Sequence, residues 1–390
     1  MNQFEKLLAR QAPSGVRRLA LGEICVVKTG EGISKEMIAD FPGEYKVINS
    51  GKEPLGFYGK FNSENDPIGI TSRGAGVGSI IWCEGRYFRG NLNYGVSIRD
   101  AEFISARYLY YFLNAFQRDI HALCTFEAIP ALNKVNLEKL MISVPPLEVL
   151  SAIVAILDKF TELEAELEAE LEARLKQRIQ VIDWLHTGKL PQLKDAIEVP
   201  LSDLVNFENG KPHEPFVDPL GECKLITSKF IASNGTLARR INSVDIRTTA
   251  MLDDITIVLS DLPNGRALAK CYFVQRNNYF AVNQRIAILR IKDKVIVNPE
   301  YLYHYVSRNP QILKFDDGST QTHLKKANVV DMVVRLPTLE IQIQIAQALT
   351  ALDKFVFGAT ESLPAEIMAR RQQYEYYRNR LLTFKELDVA

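Results

Sequence analysis

Asn136-Leu-Glu-Lys-Leu-Met-Ile-Ser-Val-Pro-Pro-Leu-Glu148 decides how the whole chain is read, because it is written twice. It returns as Asn328-Val-Val-Asp-Met-Val-Val-Arg-Leu-Pro-Thr-Leu-Glu340, an offset of 192. Around it, Leu157-Asp-Lys-Phe160 returns as Leu352-Asp-Lys-Phe355, and Ala173-Arg174 with Gln177 returns as Ala369-Arg370 with Gln373. Upstream, Tyr108-Leu-Tyr110 returns as Tyr301-Leu-Tyr303, and Leu21-Gly-Glu-Ile opens the first half as Leu201-Ser-Asp-Leu opens the second. A period near 190 residues is too long for a solenoid. It reads as a duplicated globule-plus-helix.

Each globule shows short apolar runs of strand period, broken by Gly, Pro, Asn and Asp: Tyr45 to Ile48, Ser79 to Trp82, Ile255 to Leu259, Cys271 to Val274 and Arg285 to Ile291. Each also carries one clear helix. Ser105 is placed to cap Tyr108 to Leu113, and Pro299 fits the first helical position before Tyr301 to Val306. The expected class is α+β: two similar globular domains separated by two long antiparallel coiled-coil helices. The expected boundaries are 1–146, 147–190, 191–338 and 339–390.

The first long helix runs from near Leu147 to Thr187, with Gly188 as its stop and Pro191 beyond. About forty residues at roughly 1.5 Å each make a rod of about 60 Å, more than a small globule needs to cover its core. A partner helix is therefore implied, and the stretch from Leu339 to Phe384 supplies it, kinked or restarted at Gly358 and Pro364. The apolar stripe takes in Leu157, Phe160, Leu163, Leu167, Leu171, Leu175 and Ile179, with Leu352 and Phe355 on the second helix. Its four-residue step drifts about 40° per step. Ala165, Ala169 and Ala173 are expected to let the partner approach closely.

Composition excludes several classes. The 390 residues are 47% apolar and 24% charged, which fits a folded protein and not a disordered one. No run approaches the roughly 18 apolar residues of a membrane span, and Met1 to Arg10 has no signal core, so a cytoplasmic protein is expected. Five scattered cysteines without a C-x-x-C pair argue against a zinc ribbon or disulfide framework. Net charge is zero but unevenly spread: +1 over 1–150, −4 over 151–198, +4 over 199–337 and −1 over 338–390. A nucleic-acid surface would need its cations gathered on one face.

These segments resemble the DNA-specificity subunits of type I restriction–modification systems. Leu-Met-Ile-Ser-Val-Pro-Pro-Leu-Glu at 140–148, Ile-Leu-Asp-Lys-Phe at 156–160 and the Leu-Glu-Ala-Glu repeats at 163–170 carry the resemblance in the first half. Leu-Pro-Thr-Leu-Glu at 336–340, Leu-Asp-Lys-Phe at 352–355, Arg-Gln-Gln-Tyr-Glu-Tyr-Tyr-Arg-Asn-Arg-Leu-Leu at 371–382 and Gly318-Ser-Thr-Gln-Thr-His-Leu-Lys-Lys326 carry it in the second. The likeness covers nearly the whole chain. Residues 125–134 lack the Gly-Ser-Thr-Gln start, and Pro364 interrupts only the second helix. The resemblance implies a non-catalytic subunit with two target recognition domains, each reading half of a bipartite, asymmetric site in double-stranded DNA. Two methyltransferase subunits and two translocase–nuclease subunits would join it. S-adenosylmethionine, ATP and Mg would sit on those partners, with none bound by this chain. The helix pair would set the unread spacer.

Other readings fare worse. Asn298-Pro-Glu-Tyr301 resembles the Asn-Pro-Pro-Tyr motif of DNA amino-methyltransferases, but the plain reading is a helix start, and Ala106-Arg-Tyr108 lacks the motif. Gly74-Ala-Gly-Val-Gly78 fails as a dinucleotide fingerprint because a strand, not a helix, comes after it. It reads as a hairpin turn, or as a loop that approaches DNA closely. No G-x-x-x-x-G-K-[ST] occurs, and histidines 121, 186, 213, 304 and 323 lack metal-ligand spacing. The alternative from another class is a duplicated coiled-coil scaffold that binds only proteins.

As DNA-binding candidates the first half offers Lys28, Asn49, Lys52, Thr71, Ser72, Arg73, Arg86, Arg89 and Asn91. The second offers Lys211, Lys229, Arg239, Arg240, Arg247, Arg266, Lys270, Gln321, His323, Lys325 and Lys326. Glutamine pairs bidentately with adenine, while lysine and arginine take phosphates or guanine.

Overall fold

The computed structural model describes residues 2–51, 53–127, 129–260, 267–316, 318, 322–358 and 360–387. It divides into two compact units, Met1–Leu167 with Ile367–Ala390, and Glu168–Glu366. This division differs from the expected boundaries, because each unit takes half of the first long helix.

Unit 1 is built on strands β1 (Cys25–Thr29), β2 (Pro42–Ile48), β3 (Phe57–Tyr58), β4 (Ser63–Glu64), β5 (Ile68–Thr71), β6 (Ile80–Trp82), β7 (Arg86–Arg89) and β8 (Asn93–Ile98). They form two sheets, ordered β1-β8-β5-β6 and β3-β2-β7-β4, with β2 and β7 parallel. Unit 2 has β9 (Val205–Asn209), β10 (Cys223–Ile226), β11 (Arg239–Ile241), β12 (Thr249–Ala250), β13 (Ile255–Val258), β14 (Cys271–Phe273), β15 (Phe280–Val282) and β16 (Ile286–Ile291). Its sheets run β9-β16-β13-β14 and β11-β10-β15-β12, with β10 and β15 parallel. The two orders correspond strand for strand, so the duplication seen in the sequence is a duplication of topology.

The period-two runs of unit 2 alternate between two cores rather than between core and solvent. Ile255, Ile257, Ala287 and Leu289 face the cluster shared with the helices, whereas Val258, Ile286 and Ile288 pack with Ile226, Phe280 and Val282 of the second sheet. Strands buried on both faces lose the polar half of the alternation.

The repeated motif is a strand, a proline stop and a helix start. Met141–Val144 pairs antiparallel with Arg17–Ala20, and Val333–Leu336 with Ile197–Pro200. Proline comes directly after each strand, and the helices α1 (Leu147–Thr187) and α2 (Leu339–Phe357) begin next; α3 (Leu363–Leu382) starts after the break at Gly358. The repeated Tyr-Leu-Tyr serves the same strand twice: the Tyr108 hydroxyl donates to Ser143 O at 2.7 Å, and that of Tyr301 to Arg335 O at 2.5 Å. Caps form where the spacing places them. Ser105 accepts from Tyr108 N and Asn298 from Tyr301 N, and Gly188 ends α1 at φ +75°. Tyr301 is fully buried, so Asn298-Pro-Glu-Tyr301 is a helix start and not a base-stacking platform.

Within unit 1, Phe160 of α1 stacks on Tyr377 of α3 and meets Tyr374, while Arg371 Nε pairs with Glu164 at 2.6 Å. Rising numbers on α1 meet falling numbers on α3, so the two run antiparallel. Within unit 2, Arg178 pairs with Asp353 and Arg174 lies over Phe355, which makes α1 and α2 antiparallel too. Leu157 is fully buried, whereas Phe160, Leu163, Leu167, Leu171, Leu175 and Leu352 are half-buried and Phe355 is 46% exposed. Two expectations fail here. Ile179 is 64% exposed, because four steps of about 40° carry it off the seam. Ala165, Ala169 and Ala173 are exposed, so leucines and aromatics, not alanines, make the contact.

Candidate nucleic-acid interface

In unit 1 the main sheet presents one end where three strand termini meet. The registers set Thr29 opposite Tyr94 and Thr71 opposite Asn93. Lys28 near the end of β1, Arg73 just past β5 and Asn91 just before β8 therefore converge there, and all three are exposed. The parallel β2–β7 pair ends beside them: Asn49 comes directly after β2, and its side-chain oxygen accepts from Leu92 N at 3.0 Å. Gly74 to Gly78 is the hairpin turn between β5 and β6, and it packs close to chain. Gly74 N donates to Pro130 O, Arg73 bridges to Ala131, and a Cβ on Gly76 would meet Ser50 O at 2.8 Å.

Burial corrects several candidates. Thr71, Ser72 and Asn49 are 0%, 7% and 8% exposed, so they shape the sheet end and leave contact to their exposed neighbours. Arg89 is 3% exposed and wholly committed inside. Its guanidinium donates to Asp66 Oδ2 at 3.0 Å, Asn93 Oδ1 at 2.7 Å, the Tyr87 hydroxyl and three carbonyls. Both Nη groups are committed to these internal acceptors and the side chain is buried, so it is not presented to DNA. Arg86 lies at the opposite end of β7, paired with Glu64 at 2.7 Å and 4.8 Å over Phe61.

Unit 2 repeats the arrangement. Lys211, just past β9, bridges to Asn283, and Ser260, just past β13, bridges to His323, matching the Arg73–Ala131 bridge of unit 1. Lys211 and His323 are exposed. Lys229 lies just past the cap Thr227, and the neighbouring Ser228 hydroxyl donates to Ser260 O at 3.2 Å. Lys325 and Lys326 open the helix just after His323, with Lys326 5.8 Å over Phe207. His213 is fully buried and accepts from Arg247 N at 2.9 Å, while the Arg247 guanidinium lies 4.5 Å over Phe216. Burial, with Arg247 nearby, pushes the His213 pKa down, so it acts as a neutral acceptor that holds this loop. Glu214 accepts from Asn283 at 2.6 Å. Burial opposes its charge, but the Asn283 amide, backbone N–H groups and Arg239 outweigh it and hold the carboxyl below its usual range.

Two other candidates are engaged within unit 2. Arg240 donates to Gly221 O at 3.1 Å, and Lys270 lines a cavity, tied to Ala232 O and Asn234. Lys52, Arg266 and Gln321 lie outside the described residues. The sequence reading missed Gln284 and Arg285, both exposed at the unit 2 sheet end, where Leu259 N donates to Arg285 O. Aligning β16 with β8 would have found them, since Asn91 corresponds to Gln284.

Two copies of one unit, each with exposed cations and amides at the same sheet end and each joined to a long helix, define a duplicated reader. The comparisons agree. Residues 13–177 and 252–369 match the type I restriction modification DNA specificity domain. A Haemophilus influenzae protein provisionally named as a type I restriction enzyme specificity subunit is 26% identical, over 87% of this chain and 93% of that protein. The EcoR124I/EcoR124II specificity subunit of Escherichia coli is 26% identical over 63% of this chain and 61% of its own length. The crystal structure of a type I restriction–modification S subunit from M. genitalium superposes with a TM-score of 0.64 at 19% identity, covering 94% of this chain and 96% of that one. The chain belongs to the type I restriction–modification DNA specificity family, whose members are non-catalytic recognition subunits. Among the described residues no helix is long and apolar enough to cross a membrane.

Proposed function

We propose that the chain reads a bipartite, asymmetric site in double-stranded DNA, one half-site at the sheet end of each unit. The observation that carries this is the recurrence of exposed cations and amides at the same topological place: Lys28, Arg73 and Asn91 in unit 1, and Lys211, Gln284, Arg285 and His323 in unit 2. Arginine, lysine and amide side chains on a rigid sheet suit both base edges and phosphates. Two methyltransferase subunits and two translocase–nuclease subunits complete the complex in the cytoplasm. They bring S-adenosylmethionine, ATP and Mg, and so direct adenine methylation and ATP-dependent cleavage. A purely protein-binding scaffold would leave both sheet ends without a role. The test is methylation mapping of the host genome with and without this gene. A two-part adenine-methylated motif should vanish with the gene; an unchanged methylation pattern in a strain with active partners sinks the reading.

A further inference from the structure

Unit 2 holds a cavity of about 800 Å³ beside the edge strand β14, between that strand, the C-terminal half of α1 and the end of α2. Cavities of roughly 300–1,000 Å³ accommodate cofactor-sized ligands. Among the described residues its wall carries four cations, Arg178, Lys270, Arg308 and Lys354, against two carboxylates, Asp353 and Glu300. Asp353 and Arg178 neutralise one another in a forked pair. His304 in the same wall is 2% exposed and held neutral by burial, so it adds no charge. The Lys270 ammonium donates to Ala232 O at 3.1 Å and to Asn234 Oδ1 at 2.8 Å, leaving a third hydrogen without a partner among the described residues.

The backbone around these cations is unusual. Ala269 and Arg308 both hold left-handed conformations, at φ +58° and +53°, and Arg308 N donates to Ala269 O at 2.8 Å. Non-glycine residues in that region are costly and concentrate where a ligand is clamped. Here the paired strain brings the chain segments carrying Lys270 and Arg308 together. The same wall also carries aromatic residues. The Phe273 and Tyr303 rings lie 5.8 Å apart, and Phe357 is 47% exposed beneath Arg178, 5.2 Å from the guanidinium.

Lysine ammonium groups beside flat aromatic rings complement a ligand that is anionic at one end and a planar ring at the other. We propose that this cavity binds a nucleoside phosphate, its phosphates held at Lys270 and its base against the aromatic residues of the wall. The proposal does not rest on the DNA-reading role. A nucleotide within a DNA strand offers the same chemistry, so the test must separate the two sources.

The experiment is isothermal titration of the full chain with ADP and ATP, and in parallel with adenosine, with inorganic phosphate and with a short duplex of unrelated sequence. ADP or ATP should bind more tightly than adenosine or phosphate alone. Lys270→Gln should weaken it by about tenfold or more, the effect of losing one charge-assisted hydrogen bond. Phe357→Ala, at a half-exposed position, should also weaken it and keeps the test open if Lys270→Gln fails to fold. Absence of nucleotide binding at millimolar concentration in the folded protein would overturn the proposal. So would affinity unchanged in both folded variants, or displacement of bound nucleotide by the duplex.

Discussion

Arg73 and Arg89 look alike in the sequence and have opposite roles in the fold. Arg73 stands exposed past the end of β5, while Arg89 is 3% exposed and anchors Asp66, Asn93 and Tyr87 from within. Replacing Arg89 with Met strands the Asp66 carboxylate and should cost unit 1 about 3–5 kcal/mol in a denaturant titration. A loss below about 1 kcal/mol would mean the network contributes little. Arg73→Ala should leave stability within about 0.5 kcal/mol. It should instead relax sequence preference in one half-site by about 1–3 kcal/mol if Arg73 reads a base, or weaken all sequences alike if it holds a phosphate. Arg285→Ala should do the same for the other half-site only. Binding selections on a randomised duplex check both, and either substitution altering both half-sites would refute separate readers.

At the scale of elements, the helix ends were legible because caps and stops are local. Ser105, Asn298 and Gly188 lie at helix termini that neighbouring residues suffice to define. The seam was less legible. Spacing alone showed that the leucine stripe drifts, but it could not tell which side of the drift meets a partner, and the alanines fell on the solvent side. The candidate site was legible only in part, since exposure depends on strands brought together across the fold. Nothing local in the sequence separates the buried Arg89 from an exposed arginine, or marks Gln284 and Arg285 as lying at a sheet end. The Leu-Glu-Ala-Glu tract still supports a spacer role. Each four-residue unit adds about 6 Å of helix and rotates the residues beyond it by about 40°. DNA rises about 3.4 Å per base pair, so one unit corresponds to one or two base pairs, and tilt favours one. Deleting Glu164 to Leu167 should shorten the unread gap in the methylated motif and leave both half-site sequences unchanged. An unchanged gap in an active complex would end the ruler idea.

At the scale of the molecule, the units should respond differently to acid. His186, His213 and His304 all lie in unit 2, and burial lowers the pKa of each, that of His304 to about 4 against the opposing pull of Asp353. An unfolded histidine titrates near 6.5. Between about 6.5 and 4 the unfolded chain therefore binds more protons than the folded one, and stability falls as pH falls. His304 alone should remove roughly 2–3 kcal/mol over that window. Unfolding measured at pH 7 and pH 5 should show unit 2 weakening with acid, and His304→Gln should reduce the slope. A pH-independent unit 2 would contradict the neutral, buried assignment.

Unit 1 is assembled from both ends of the chain: Leu381 and Leu382 are buried in its core, Val16 bridges to Glu386, and Tyr374 and Tyr377 flank Phe160. Unit 2 is continuous in sequence. Synthesis from the N-terminal side therefore makes most of the first unit early yet cannot close it until residues 367–390 emerge, by which time the second unit can already be complete. Domains that close late remain exposed to proteases and aggregation while they wait. A premature stop after Glu366 would then strike the half of the protein encoded first. Limited proteolysis of such a truncated chain should degrade residues 1–167 while 168–366 resists; the reverse pattern would show that the early segment holds together without its final strap.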